Sequence, residues 1–310
     1  MNVSTIISTI VIMATMIVIG CLLTRSTPFT TERRQLLMNI IINVAMPCMI
    51  LNGVFQTEID SQFLLILLLT FVISIIINYF GVFEGWVVAR TFHVSKTKTN
   101  EIALLSGIGN TGFIGIPLCA ELFGPKGALL AAVFDAGIDF TIWSIGVMML
   151  QNKSFQPQAL KSLLNIPMLS IFAGMMFAAL NVSPPPFVQE LTESFANLAT
   201  PLAMMYIGML IPSVMTKKLP GMKQISIPLV LKLFIFPLAI ATILSFIPLP
   251  NELKQVIVVQ TTMPCMTMAS ILFSLYSCDE EYGASMTVLS VILSITTTPA
   301  MIMLGLYILK

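Results

Sequence analysis

The chain has 310 residues, of which 57% are hydrophobic and only 9% are charged, and its formal net charge is +1. Soluble globular proteins carry about 25% charged residues, so this composition excludes a soluble chain and predicts a polytopic membrane protein. The low net charge offers no basic surface for nucleic acid. The five cysteines form neither a CxxC pair nor a His/Cys metal motif, so no metal site and no cofactor are expected.

Apolar runs of about 20 residues, the length that crosses a bilayer, fill most of the chain. They predict an all-α fold of ten transmembrane helices, over residues 3–23, 35–55, 63–88, 101–120, 127–150, 164–181, 194–214, 226–248, 254–276 and 283–308. The first span lacks a basic flank and stays apolar too long for a signal peptide.

The Lys and Arg residues lie mainly in alternate loops. Eleven follow spans one, three, five and seven, namely Arg25, Arg33, Arg34, Arg90, Lys96, Lys98, Lys153, Lys161, Lys217, Lys218 and Lys223. Only three, Lys126, Lys254 and Lys310, lie in the other loops or at a terminus. Because cytoplasmic loops are enriched in basic residues, both termini are predicted to face outward. The loop after span nine has no basic residue and is the weak point of this assignment.

Spans two and seven share a short motif. NVAMP in span two begins at Asn43, and NLATP in span seven begins at Asn197, 154 residues later. The same offset takes Asn110 to Pro264. Five spans per half is an odd number, so the second half would insert upside down. The chain is therefore predicted to consist of two inverted five-helix repeats, residues 1–150 and 151–310.

Span four contains SGIGNTGFIGIPL, an apolar stretch with four glycines and Pro117. A helix broken here is tolerated only where its backbone lines a cavity or is buried in protein. The second half-helix would offer unpaired N–H groups to an anion, Asn110 and Thr111 would add donors, and Gly112 would let the ligand approach the backbone. The alternative is that the glycines permit close packing and Pro117 only kinks the span. GIGNTG also fits GxGxxG, but no strand precedes it.

Ionisable residues within spans are candidate functional groups. Asp135 and Asp139 lie one turn apart in span five, and they are either a proton or cation site or a source of polar contacts between helices. Glu84 is expected to reach the interface. Lys232 in span eight either extends to the inner surface or pairs with an acid in the bundle.

Span nine contains the matching interruption, QTTMPCMTMAS. Thr262 and Pro264 are included among the substrate-binding candidates, together with Asn43 and Asn197 of the repeated motif. Whether Gln260, Thr261 and Thr262 serve the substrate, a cation or neither is left open.

Together these motifs resemble the auxin efflux carrier family. The similar stretches are GNTGFIGIPL followed by ELFG, IGCLLTR, MPCMIL, and ASILFSLYSCDEEYGASMTVLSVILSITTTP, and they extend over essentially all ten spans. The chain is similar in length to bacterial members described as malate or malonate permeases. The resemblance implies a fold similar to bile-acid/sodium symporters, with broken, crossing fourth and ninth helices, in the cell (inner) membrane.

The resemblance also implies roles for single residues. Asn110 and the neighbouring backbone would hold the substrate carboxylate, and Pro117 and Pro264 would mark the crossing. Spans one, two, six and seven would form a scaffold against which the crossed helices move.

The function expected is secondary transport, by alternating access, of small organic anions such as malate, malonate or auxin-like carboxylates. No ATP-binding signature is present, so the energy is expected to come from an ion or substrate gradient. No Ser/His or HExxH set is present, so the chain is expected not to be an enzyme. The expected partners are the anion, a proton or sodium ion and the lipid bilayer; a homodimer is left open. Two alternatives remain: a sodium- or proton-coupled importer of the bile-acid-symporter type, and a non-transporting membrane ligand sensor.

Overall fold

The computed structural model describes residues 3–26, 29–151, 161, 163–180, 184–215 and 220–310; Lys153, Lys217, Lys218 and residue 181 of the predicted sixth span lie outside them. Within these ranges every regular element is helical, apart from one isolated β-bridge. The α-helices are α1 (Val3–Ser26), α2 (Thr31–Ile40), α3 (Met46–Phe55), α4 (Ser61–Thr91), α5 (Lys96–Gly107), α6 (Ile116–Thr141), α7 (Val147–Gln151), α8 (Ile166–Ala179), α9 (Pro186–Met215), α10 (Met222–Val230), α11 (Phe236–Phe246), α12 (Asn251–Thr261), α13 (Ala269–Leu275) and α14 (Glu280–Ile308). Four π-helical turns, Ile41–Ala45, Thr111–Gly115, Ile142–Gly146 and Leu231–Ile235, join some of them.

Seven helical segments of the described chain are long and apolar enough to cross a membrane. The helix α4 is the clearest case, because its apolar residues Leu65, Leu68, Val72 and Ile76 are exposed along one side. A continuous exposed apolar stripe is unfavourable in water and favourable against lipid. The chain is therefore an all-α polytopic membrane protein. The count of ten spans stays a prediction, because the fourth and ninth are each built from two shorter helices and α8 has only 14 residues.

Three prolines follow π-helical turns. Pro47, Pro117 and Pro237 are each the second residue of the α-helix that comes after such a turn. Proline lacks an N–H group and its ring crowds the carbonyl four residues earlier, so a wider turn before it relieves the clash. Pro117 therefore continues a helix and does not interrupt it. Within α6 the chain turns at Gly124, whose φ of +69° favours glycine.

Contacts divide the chain into two units, and unit one comprises Met1–Thr70, Gly112–Val133 and Leu164–Met215. In unit one α1 packs against α9, and α3 packs against both α8 and α9. Glycines allow the first of these contacts: a Cβ on Gly20 would lie 2.2 Å from the Met205 carbonyl oxygen, and one on Gly208 would lie 2.0 Å from that of Ile17. Small residues of this kind bring membrane helices into close contact.

Unit two comprises Phe71–Thr111, Phe134–Leu163 and Thr216–Lys310. In unit two α14 packs against α11 and α13, and α10 packs against α5. The end of α5 lies directly on α4, since a Cβ on Gly107 would lie 2.3 Å from the Val82 backbone nitrogen. The packing alternative considered for the glycines of span four therefore holds for Gly107.

The helices of the two halves recur at nearly constant spacing. The helix α5 ends at Gly107 and α12 ends at Thr261, 154 residues later. Asn43 and Asn197 are both exposed, whereas Ala45 and Ala199 two residues on are both buried. Two related halves would give this agreement. The division into repeats over 1–150 and 151–310 nevertheless stays a prediction, and each contact unit contains segments from both halves.

Candidate functional site at the crossing of two broken helices

Both predicted breaks lie in unit two, and they meet there. The first occupies Ile108–Asn110, between the end of α5 and the turn that begins at Thr111. The second occupies the residues between α12 and α13. Gly109 pairs with Cys265 in an antiparallel bridge. The crossing of the fourth and ninth helices, expected from the resemblance, is thus present in the structure.

Two backbone hydrogen bonds hold the bridge. The Asn110 N–H donates to the Pro264 carbonyl oxygen at 2.7 Å, and the Met266 N–H donates to the Ile108 carbonyl oxygen at 3.3 Å. An antiparallel pair that sets Gly109 against Cys265 also sets Asn110 against Pro264. The 154-residue offset relates the same two residues, so the bridge pairs positions that are equivalent in the two predicted repeats.

The break leaves helix ends whose carbonyl groups need other donors. At the end of α5, the Cys265 thiol donates to the Leu105 carbonyl oxygen at 3.2 Å. At the end of α12, the Thr298 hydroxyl donates to the Thr262 carbonyl oxygen at 3.2 Å. Side chains of other elements therefore stabilise both interrupted ends.

Asn110 is the side chain in the first break with unused hydrogen-bonding capacity. It is only 4% exposed, and its Nδ2 has no hydrogen-bond partner among the described residues. A buried donor without a partner costs about 1–3 kcal/mol, so its retention needs a reason. The adjoining helix begins at Thr111, and the first N–H groups of a helix have no partner within it. Asn110 and this helix start together form a natural place for an anion.

Gln260, on the last turn of α12, is the corresponding side chain near the second break. It is fully buried, and neither its Nε2 nor its Oε1 has a hydrogen-bond partner among the described residues. Each broken span thus carries a buried amide nitrogen, Asn110 Nδ2 or Gln260 Nε2, without a partner in the described part of the chain.

Thr111 connects the first break to the acidic pair in span five. Its hydroxyl donates to Asp135 Oδ1. The hydroxyl proton is therefore committed to Asp135, and the backbone N–H of Thr111 is the group that remains for a ligand. Asp139 lies one turn beyond Asp135 on α6, and both aspartates are half-buried.

The other predicted residues of this region differ in their relation to the breaks. Pro264 lies in the crossing and accepts the hydrogen bond from Asn110. The Thr262 hydroxyl donates to Val259 of its own helix at 2.7 Å and so caps α12. Gly112 is half-buried and directly follows Thr111. Pro117 is buried but lies beyond the π-helical turn, so it does not mark the crossing, contrary to expectation.

Asn43 and Asn197 belong to unit one, whereas the residues of the crossing belong to unit two. Asn43 is on the turn Ile41–Ala45 and Asn197 is on α9, and these two elements contact each other. Both side chains are exposed. Their role in substrate binding stays a prediction.

Lys232 is 1% exposed, so it does not extend to the inner surface. Of the two positions considered for it, the structure favours the bundle, where the carboxylate of Glu84 on α4 interacts with it electrostatically. Lys232 Nζ donates to the Gly107 carbonyl oxygen at 3.4 Å and lies 4.5 Å from the centre of the Phe236 ring. The sequence signal was a lysine within an apolar run, but its partner was not readable from that run.

Comparison with known proteins places these features in a transport family. The profile of the family described as membrane transport protein matches residues 5–302, a range that includes both breaks. An uncharacterized transporter of Methanocaldococcus jannaschii is 28% identical over 284 residues, covering 89% of each chain. An uncharacterized transporter of Methanothermobacter thermautotrophicus is 22% identical over 273 residues, covering 86% of this chain and 88% of its own.

Proposed function

The chain belongs to the auxin efflux carrier family of membrane transport proteins, and on that premise we propose that it is a secondary carrier of small organic anions. The observation that supports this most strongly is the buried Nδ2 of Asn110, which no described residue meets, beside the helix start at Thr111. An organic carboxylate would satisfy both.

The chemistry of the site suits a carboxylate. A helix N-terminus carries a partial positive charge of about half an elementary charge, and its N–H groups point toward a ligand placed there. Asn110 adds a neutral donor at the same end. A carrier must release its substrate as well as bind it. Donors without a full charge allow that release, because they hold an anion less tightly than an ion pair would. We therefore place one carboxylate at the Asn110 amide and the Thr111 N–H, with malate, malonate and auxin-like acids as the substrate class.

The link from Thr111 to Asp135 offers a route for coupling. A change in the charge of Asp135 would alter the hydrogen bond that positions Thr111, and hence the N–H groups beside it. Asp139, on the same side of α6, would share this charge. We propose that these two aspartates bind the coupling ion, a proton or a sodium ion, and that the protein catalyses no reaction.

The division of the segments between the two units supports a proposal of alternating access. The crossing belongs wholly to unit two, whereas α1, α3, α8 and α9, which include the spans that the resemblance assigns to the scaffold, lie in unit one. We propose that unit two carries the site in the transport cycle. We also propose location in the cell membrane with both termini outside, on the basis of the loop charges.

Reconstituted transport tests this function. Purified protein in proteoliposomes would be offered labelled mono- and dicarboxylates under a sodium gradient, a pH gradient or neither. We expect at least one carboxylate to accumulate, with competition from unlabelled acids of the same class, and Asn110→Ala to reduce its uptake. Transport of neutral or cationic solutes but of no carboxylate would overturn the proposal.

A further inference from the structure

The first break presents two helix ends of opposite polarity. Beside the helix start at Thr111, the end of α5 carries carbonyl groups equivalent to about half a negative charge. In this apolar surrounding water cannot neutralise that end. The Cys265 thiol meets one of these carbonyls, that of Leu105, and the charged group at this end is the ammonium of Lys232, which donates to the Gly107 carbonyl oxygen.

The lysine is fitted closely to the break. A Cβ on Gly109 would lie 3.0 Å from Lys232 Nζ and 3.2 Å from Lys232 Cε, so the missing side chain of Gly109 leaves the space that the ammonium occupies. The Phe236 ring covers another side of the ammonium at 4.5 Å. Gly109, the first residue of the GNTGFIGIPL stretch, therefore leaves room for the ammonium beside the backbone of the break.

Lys232 and Asn110 lie on opposite faces of the bridge. Neighbouring residues of an extended segment direct their side chains to opposite sides, and Lys232 lies on the side toward which Gly109 would direct a side chain. Asn110 is directed to the other side. Lys232 therefore does not contact an anion bound at Asn110.

We propose that Lys232 is a resident cation of the helix crossing. Its ammonium neutralises the carbonyl end of α5, so the first break is complete without a bound metal ion. The same charge, on the other face of the bridge from the anion site, strengthens anion binding; this second part rests on the proposed function.

The cost of this lysine supports a specific role. A charged side chain within a membrane span is unfavourable unless it is paired or stabilised by dipoles. Here the stabilising groups are a helix carbonyl end and an aromatic face, both of which favour a cation, and the carboxylate of Glu84 adds an electrostatic attraction. Lys254 on α12 is another buried lysine of unit two and serves as a matched control.

The first experiment needs no substrate. The melting temperature of the purified protein would be measured at equal ionic strength in choline, sodium, potassium and n-butylammonium chloride. We expect Lys232→Ala to melt several degrees below wild type in choline, and n-butylammonium to restore part of the loss. Lys254→Ala should show no such restoration. A Lys232→Ala protein as stable as wild type in choline, or equal responses of the two variants to n-butylammonium, would overturn the proposal.

A conservative pair of variants covers the case in which Lys232→Ala does not fold. Lys232→Met keeps the length of the side chain and removes the charge, and Lys232→Arg keeps the charge. We expect the melting temperature to fall for Lys232→Met and to stay closer to that of wild type for Lys232→Arg. A Lys232→Met protein as stable as wild type would show that the charge has no role at the crossing.

The second experiment measures anion affinity on the same variants. We expect Lys232→Met to bind the carboxylate about tenfold more weakly and Lys232→Arg to retain most of the affinity. Unchanged affinity in Lys232→Met would refute the claim that the charge of Lys232 strengthens anion binding. A wild type that binds no carboxylate would refute the proposed function instead, while the melting result would still decide whether Lys232 is the resident cation.

Discussion

At the scale of single residues, the first break combines a neutral amide with a charged lysine. Asn110 is buried with an Nδ2 that has no partner among the residues described, and Lys232 is buried against the Gly107 carbonyl. The polar atom that would touch the substrate is thus uncharged, and the full positive charge is held on the other side of the backbone. This division gives attraction for an anion without a permanent ion pair that would hinder its release.

The acidic pair provides a prediction at this scale. Asp135→Asn removes the charge that accepts the Thr111 hydrogen bond. We expect this variant, and more strongly the double variant with Asp139→Asn, to lose gradient-driven accumulation and to retain substrate exchange. The measurement is uptake in proteoliposomes with and without the gradient.

Asp60→Asn is the control for that experiment. Asp60 accepts a hydrogen bond from the Phe63 N–H at the start of α4, and asparagine caps a helix about as well as aspartate. Its gradient dependence should match that of wild type. If the double variant also keeps wild-type gradient dependence, the two aspartates are structural.

The residues of the site were predictable to different degrees. Asn110 and Asp135 stand out in sequence because each is polar within an apolar span. The place of Lys232 was not predictable, because it depends on how the turn Leu231–Ile235 packs against the end of α5. Pro117 was misleading for a related reason: a π-helical turn before it absorbs the strain, and the interruption lies upstream at Ile108–Asn110.

At the scale of elements, a polar cluster connects the beginnings of α5 and α14. The Lys98 ammonium lies 2.7 Å from Glu101 Oε2 and 2.6 Å from Asp279 Oδ2. The Asp279 N–H donates to Glu101 Oε1. The Asp279 carboxylate accepts a hydrogen bond from the Tyr282 N–H and so caps α14. Glu101 is only 1% exposed, so these bonds satisfy a buried acid. The α5 half of the broken span is therefore fixed at its far end by α14.

The pH dependence of this cluster is a second prediction. Partial burial raises the pKa of Asp279, but hydrogen bonds from Lys98 and from the backbone of Tyr282 and Glu281 prevail and hold it below the ordinary 3.8. A depressed pKa adds stability above 3.8 that is lost as the pH falls through the folded-state value. Because Asp279 is 46% exposed, the pair with Lys98 contributes only about 0.2–1 kcal/mol.

Asp279→Asn tests this pH dependence, since asparagine retains the helix cap and removes the charge. At neutral pH the variant should melt slightly below wild type, and the difference should vanish as the pH falls well below 3.8. Glu58→Gln, at an exposed position before α4, should show no difference at neutral pH. A difference for Asp279→Asn that grows on acidification would contradict the assignment.

At the scale of the whole molecule, hydropathy was sufficient to place the helices but not to group them. The predicted spans correspond to helical segments throughout the described chain. The division into contact units could not be read from the sequence, because each unit takes segments from both halves and α4 and α6 each contribute to both units. This grouping depends on tertiary packing, such as the contact between Gly20 and Met205. When nearly all faces of the helices are apolar, such contacts leave little periodic pattern in the sequence.

The orientation in the membrane gives a third prediction. In a background without the native cysteines, a cysteine at position 221, where a Cβ meets open space, should be protected from a membrane-impermeant thiol reagent in intact cells. A cysteine at the exposed Glu190 should be labelled. Equal labelling at the two positions would contradict outward-facing termini, since the loop charges place these sites on opposite sides.

The measurement that tests the central claim most directly is the carboxylate affinity of purified Asn110→Ala. Removing a donor to a charged ligand in a buried site should weaken binding by about 10- to 150-fold, equivalent to about 1.5–3 kcal/mol. Asn78→Ala is the matched control, because Asn78 is also buried in unit two but donates within its own helix to Ser74. With both variants monodisperse, a loss confined to Asn110→Ala is the predicted result. Wild-type affinity in Asn110→Ala would show that the anion binds elsewhere.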